Sequence, residues 1–386
     1  MSKVKIKIKS GIVLAPFTTF GIGGKAKFFV EVGSVDELAK AIKFKRDNRL
    51  SHFVLGGGSN ILVPDEGFDG LVIKMDIYGL WINDRVPQEW AMPHSENLRS
   101  RLSTGVILRA GADPVPEKAE SFGSSKLLLR CGAGEVWDDV VKVSVERGLV
   151  GIEYLSGIPG TVGGAVVQNV GAYGQTLSDT VESVNVFDIK TEELKKMSVL
   201  ECGFEYRESI FKHNPRYIVV SVDLKLVSSK RSVSGYHDII NYFKGKPDPS
   251  PREAREAVLE IRRKKGMLIK ANGMSFQTAG SFFKNPVVEE TTFQKIAVVI
   301  SEDRERPWFW RQQDGGIKLA AAKLLEEVGF KKGYCSGKVG ISPKHSLSFI
   351  NLGDANALDI IKLAEMVKTA VYDKFSVKLE SEVKQI

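Results

Sequence analysis

Apolar and polar positions along the chain switch repeatedly between a period of two and a period of 3.6. Lys3, Lys5, Lys7 and Lys9 alternate with Val4, Ile6 and Ile8. That alternation puts the lysines on one strand face, as in a solvated edge strand or a tag-like tail, or in an arm that binds nucleic acid. FTTFGIGGKAKFFVEV reads as loop then strand. Val35, Leu38, Ala39 and Ile42 then follow at helical spacing, with Ser34 placed to cap. FVLGGGSNILV (53–63) reads as strand, glycine loop, strand, and LVIKM (71–75) as a further strand. This opening predicts a small α/β subdomain. Over 76–125 the periodicity weakens and Pro87, Pro93, Pro114 and Pro116 interrupt it, which predicts an inserted segment rich in loops. KLLLRCGAGEVWDDVVKVSVERGL restores order as strand, turn and amphipathic helix. A glycine-rich passage (151–175) leads to the alternating strands SVNVFDI and YIVVSVDLKL. In PREAREAVLEIRRKKG, Ala254, Ala257, Val258 and Ile261 share one helix face. The C-terminal region carries KLAAAKLLEEVGF, the helix ALDIIKLAEMVKTAVYDKF, and the strand-like SVKLESEVKQI.

Composition narrows this picture. At 386 residues and 43% hydrophobic, the chain can bury a sizeable core, which argues against disorder, collagen or coiled coil. No apolar run reaches the ~18 residues of a membrane span. The N-terminus lacks the apolar core of a signal peptide, so a cytoplasmic protein is expected. The 37 glycines are about 10% of the chain, above the usual ~7%. Three scattered cysteines and five unclustered histidines predict no disulfide framework and no metal site. The net charge of +8 admits a nucleic acid, a phosphate-rich small molecule, or no charged partner at all.

Two glycine loops carry the candidate chemistry. Gly56, Gly57, Gly58, Ser59 and Asn60 join two strands, where successive N–H groups can form an anion nest or simply a tight turn. No GK[ST] follows, and a strand rather than a helix comes next, so neither a P-loop nor a Rossmann turn is present. In the second loop, Gly157, Gly160, Gly163, Gly164, Gly171 and Gly174 stand among apolar side chains. Such backbone can lie against a large planar ligand or answer a folding constraint. Taken alone, Arg207 reads as a surface ion pair, Ser281 as a turn residue and Glu382 as part of a solvated strand face.

FTTFGIGG, LGGGSNILV, SGIPGTVGGAVVQNVGAYG, CGFEYRESIFK, GSFFKNP, DGGIKLAAAKLLEEVGFKKG and LESEV occur in this order and span nearly the whole chain outside 76–125. In this the sequence resembles the UDP-N-acetylenolpyruvoylglucosamine reductase family of peptidoglycan precursor synthesis. The resemblance implies an α+β protein. An FAD-binding fold of the vanillyl-alcohol-oxidase type, made of two α/β subdomains, precedes a C-terminal α+β substrate-binding domain. The implied division is 1–75 for FAD subdomain 1, 76–125 for the insertion, 126–250 for FAD subdomain 2 with a tyrosine loop, and 251–386 for the substrate domain. It further implies noncovalent FAD, NADPH as cosubstrate, a UDP-sugar substrate, no nucleic-acid partner, no membrane insertion and a monomer. An alternative is another FAD-dependent oxidoreductase on the same fold; a basic binding protein is the other contender.

Carried onto matching positions, the resemblance makes Ser281 a general acid, Arg207 a carboxylate-holding fork and Glu382 an acid assisting enolate formation. It places Gly56, Gly57, Gly58, Ser59, Asn60, Gly157, Ile158, Pro159, Gly160, Gly164, Ala165, Gln168, Asn169, Gly171 and Arg262 on the flavin. It places Tyr173, Tyr236, Lys265, Asn285 and Lys332 on the substrate, with Tyr236 on a loop that closes over the UDP moiety. Lys384 stands where the family often has arginine, and His345 where some members have glutamine.

Overall fold

Ser34 accepts the Glu37 N–H and starts the first helix, Val35–Asp47, where Leu38, Ala41 and Ile42 turn inward. The computed structural model describes residues 6–83, 126–270, 273–274, 276–300 and 307–386. Its helices and sheets divide into two compact units, neither of them a continuous stretch of chain. The first comprises Met1–Ile12, Ala26–Gly57 and Asp69–Arg263; the second comprises Val13–Lys25, Gly58–Phe68 and Lys264–Ile386.

Among the described residues the first unit holds two large sheets and a two-stranded ladder, Gly171–Ala172 with Gln175–Thr176. In one, the strands Lys9–Val13, Lys25–Val32, Phe68–Met75 and Ser51–Leu55 lie in that order. Lys9–Val13 is an edge strand, and Lys9 pairs with Glu31 at 2.9 Å; Lys3 and Lys5 of the expected alternation lie outside the described residues. The larger sheet runs Glu193–Ser198, Val181–Asp188, Tyr217–Ser228, Lys126–Gly132 and Leu80–Asn83, with antiparallel pairing throughout. Of the insertion expected at 76–125, residues 84–125 lie outside the described residues. Asp223 is fully buried in this sheet, yet Arg130 grips it bidentately at 2.5 and 2.8 Å and Ser183 donates at 3.0 Å. A buried carboxylate is tolerated when its lone pairs are filled in this way. The helix Trp137–Glu146 packs on the same core through Trp137, Val140 and Val141, and the Trp137 indole N–H donates to the Leu155 carbonyl at 3.1 Å.

The second unit has its own core around Phe282, Phe283 and Phe349, with Phe282 and Phe349 stacked at 4.6 Å. The helix Ala357–Phe375 covers it, buried through Ile360, Leu363, Val367 and Val371. The strand expected over SVKLESEVKQI is shorter than its alternation suggests. Only Lys384–Gln385 forms a strand, parallel to Ile61–Leu62. Val377, Leu379 and Val383 still face inward, so burial and not ladder pairing sets the alternation. Among the described residues, no helix is long and apolar enough to cross a membrane.

Candidate functional site

In the first unit Gly56 and Gly57 of the first glycine loop press on Thr161 and Gly160 of the second. A Cβ on Gly56 would sit 2.6 Å from the Thr161 hydroxyl, and one on Gly57 would sit 2.6 Å from the Gly160 Cα. No L side chain fits at such separations. The glycines are therefore a packing requirement of the loop contact, whatever else they bind. The second loop is pinned from behind: Val162 and Gly163 donate to the carbonyls of Glu135 and Ala133 at 2.9 Å, and Trp137 donates to Gly160 at 3.0 Å. Its forward side is open. A Cβ on Gly164 would meet the Thr161 hydroxyl only at 3.8 Å. That hydroxyl is buried and has no hydrogen-bond partner among the described residues.

Asp138, in the first turn of the helix Trp137–Glu146, sets the loop's entry. It accepts the Gly157 N–H at 2.5 Å and a bidentate grip from Arg255 at 2.6 and 2.8 Å. Burial works to raise the Asp138 carboxyl, but Arg255 and Gly157 as donors, with the charges of Arg255 and Arg262, hold it below the usual carboxylate range. The Gly157 carbonyl accepts from Arg262 at 3.1 Å. Arg262 is only 6% exposed and bonds the Tyr173 side chain. Burial pulls the guanidinium down from its ordinary value, against the opposing pull of Tyr173 and Asp138. Burial likewise pushes the Tyr173 phenol up. Tyr173 meets Tyr236 edge-on at 5.5 Å. Gly157, Arg262, Tyr173 and Tyr236 thus form one connected line.

Arg207 lies in the turn between Glu205 and Glu208, donates to the Gly171 carbonyl and stands over the Tyr206 ring at 5.2 Å. Its φ is +59°, and Tyr173 at +49° shares that disfavoured region, whereas Asn169 at +44° is the left-handed C-cap of the helix Val162–Gln168. Such strain costs about 1–3 kcal/mol per residue and gathers at functional sites. The Asn169 carboxamide is committed to the backbone: it donates to Glu205 at 2.8 Å and accepts from Ser178 at 3.1 Å.

In the second unit, the segment carrying Ser281 lies between two neighbours. Ser281 bridges Ser348, and Phe282 donates to Leu347 at 2.8 Å. On the other side, Glu382 donates its N–H to Phe282 at 2.7 Å and Lys284 donates to Glu380 at 2.9 Å. Ser281 and Glu382 therefore stand on paired backbones. Among the described residues, nothing holds the Ser281 hydroxyl. Asn60 joins this group: its amide donates to the Glu382 carbonyl at 3.1 Å, and its carbonyl accepts from Lys384 at 3.1 Å. Asn285 accepts the Ala321 N–H at 3.0 Å and so closes the first turn of the helix Ala321–Glu327. Lys265 is half-buried just after the helix Pro251–Lys264. Lys332 is exposed in a turn, and among the described residues no contact ties it to the other candidates.

Thr161, Asp138 and Arg255 escape sequence reasoning. One signal was present: Arg255 and Arg262 are seven residues apart and so share a helix face. Thr161 is masked by its glycine neighbours.

The chain is a mixed helix-and-sheet protein with a flavin-binding domain, since residues 115–198 match the FAD binding domain model. Residues 272–386 match the model of the UDP-N-acetylenolpyruvoylglucosamine reductase C-terminal domain. The reductase of that name from Thermobifida fusca is 37% identical over 379 residues, covering 96% of both chains. The one from Pseudomonas syringae pv. syringae is 31% identical over 382 residues, covering 98% of this chain and 99% of its own. The crystal structure of the UDP-N-acetylenolpyruvylglucosamine reductase (MurB) from Thermus caldophilus superposes with a TM-score of 0.59 at 25% identity, covering 99% of each chain. The chain belongs to the UDP-N-acetylenolpyruvoylglucosamine reductase family.

The loops fit the flavin this family membership entails. They present side-chain-free backbone at Gly56, Gly57 and Gly160, and a buried Thr161 hydroxyl that lacks a protein partner. Gly57→Ala is expected to force the loops apart. Overpacking of this kind costs ~1–3 kcal/mol, so the purified variant is expected to carry clearly less FAD per chain by absorbance. Full flavin content would show that the contact tolerates a methyl group.

Proposed function

We propose that this protein reduces UDP-N-acetylglucosamine enolpyruvate to UDP-N-acetylmuramate for peptidoglycan synthesis, with NADPH as reductant and FAD as the bound cofactor. Near-full-length similarity to named reductases carries this reading. FAD, when bound, supplies hydride chemistry.

Protein groups supply the rest. On this reading Ser281 gives its hydroxyl proton to one carbon of the enolpyruvyl double bond. Its hydroxyl is held by no described partner, while it bridges Ser348 and the backbone of its neighbour Phe282 is bonded on both sides. Arg207 holds the substrate carboxylate with its fork and stabilises the negative charge that grows there. Glu382 assists enolate formation. Tyr236 closes over the UDP moiety, with Tyr173, Lys265, Asn285 and Lys332 as further substrate contacts. On this reading Gly56, Gly57, Gly58, Ser59, Asn60, Gly157, Ile158, Pro159, Gly160, Gly164, Ala165, Gln168, Asn169, Gly171 and Arg262 would be the residues that hold the flavin. The reading includes a cytoplasmic monomer, and a division into flavin parts 1–75 and 126–250, insertion 76–125 and substrate part 251–386.

An anaerobic experiment tests the reaction. NADPH should bleach the flavin, and the enolpyruvyl substrate should restore its colour with UDP-N-acetylmuramate as product. Failure of colour to return with authentic substrate would remove this reading.

A further inference from the structure

Glu153 is a carboxylate only 2% exposed, and its two oxygens have separate tasks. One accepts the Gly151 N–H at 2.6 Å and closes its own turn. The other accepts the hydroxyl of Ser232, far away in sequence. Among the described residues no ion pair reaches it. A carboxylate is costly to bury, and a glutamine could satisfy the same turn with neutral bonds. The charge makes the Ser232 bond roughly twice as strong as a neutral one.

Ser232 is the root of the segment that carries Tyr236. Its N–H donates to Pro249 at 2.7 Å, and its carbonyl accepts the Tyr154 hydroxyl at 3.2 Å. Two residues on, the Ser234 hydroxyl donates to the Tyr173 carbonyl at 2.8 Å and accepts the Tyr236 N–H at 3.1 Å. Val233, between these fastenings, is 71% exposed. The segment is therefore fastened at its root and at Ser234, ahead of the contact of Tyr236 with Tyr173. Of the side-chain fastenings at Ser232 and Ser234, only Glu153–Ser232 is charge-assisted.

We propose that Glu153 is a positioning residue for the UDP-linked substrate: through Ser232 it latches the Tyr236 segment in its ring-to-ring arrangement with Tyr173. This rests on the reading of Tyr236 as a substrate contact. Loosening the latch lowers the fraction of chains with Tyr236 in place. Apparent affinity falls by that fraction while the chemical step is untouched.

The test is the Kd of the enolpyruvyl substrate on the oxidised, flavin-loaded protein, by isothermal titration calorimetry, with kcat at saturating substrate beside it. Glu153→Gln and Ser232→Ala are each expected to raise Kd roughly tenfold and to leave kcat within about twofold. Ser232→Thr keeps the hydroxyl and is expected to keep the affinity. Tyr236→Ala is the reference. Combined with Glu153→Gln, its loss is expected to be non-additive, because both act through one ring. Flavin content and Tm are read for every variant. Ser232→Ala, which removes a single hydroxyl, carries the test if Glu153→Gln does not fold. A loss in Tyr236→Ala with none in Glu153→Gln or Ser232→Ala overturns the latch alone, and additive losses in the double variant do the same. An unchanged Kd in Tyr236→Ala overturns the tyrosine reading and the latch together.

Discussion

Ser281→Ala is expected to leave NADPH reduction of the flavin near wild type and to slow reoxidation by the enolpyruvyl substrate by ~10²–10⁴-fold, the usual loss when a general acid is removed. The two half-reactions separate the causes. A variant damaged in its fold or flavin binding would lose both. A variant lacking only a proton donor would lose the second. The structure favours the second outcome. Ser281 is positioned by backbone bonds of its neighbour Phe282, to Leu347 on one side and Glu382 on the other, and the substitution touches neither. Stopped-flow reoxidation under anaerobic conditions gives the rate. A near-wild-type rate would take Ser281 out of the mechanism.

Arg207→Gln is expected to cost ~10²–10³-fold in the same reoxidation step, comparable to losing one strong electrostatic donor in an active site. Glutamine keeps hydrogen-bonding capacity toward the Gly171 carbonyl but gives up the charge and the fork. Arg207→Lys is expected to recover only part of the loss, because a point charge does not reproduce two parallel N–H bonds to a carboxylate. Arg207 adopts φ +59° and is tied to Gly171, so its pose is imposed by the surrounding chain. Reoxidation rate and substrate Kd, measured together, separate binding from chemistry. Equal rates for all three proteins would refute the assignment.

Much of the fold was legible because its elements obey simple periods. The helices at Val35–Asp47, Trp137–Glu146, Pro251–Lys264 and Ala357–Phe375 follow apolar spacing, and the long strand Tyr217–Ser228 follows alternation. The C-terminal segment misled because alternation reports which side is buried, not whether a partner strand lies alongside. The two glycine loops stood out by composition. That they press on each other did not, because contacts between residues 56–57 and 160–161 leave no local pattern. Asp138 illustrates the same limit. As a first-turn acid it looks like ordinary helix-end electrostatics, whereas in the fold it joins Gly157 to Arg255. Glu153 reads as a polar residue in a glycine-rich passage, and only its burial shows that it serves a distant serine.

The second unit is assembled from residues 13–25, 58–68 and 264–386, and this has a consequence for biosynthesis. Phe20, Ile22 and Leu62 belong to its core, yet the rest of that core, Ala279 to Val383, is encoded more than 200 residues downstream. At ribosomal speeds of about 5–20 residues per second, these apolar side chains wait about 10–70 s for their partners. The nascent protein thus emerges with oily surface that nothing yet made can cover. Its yield in a cell is expected to depend on chaperone capacity and translation speed more steeply than that of a protein whose units follow one another along the chain.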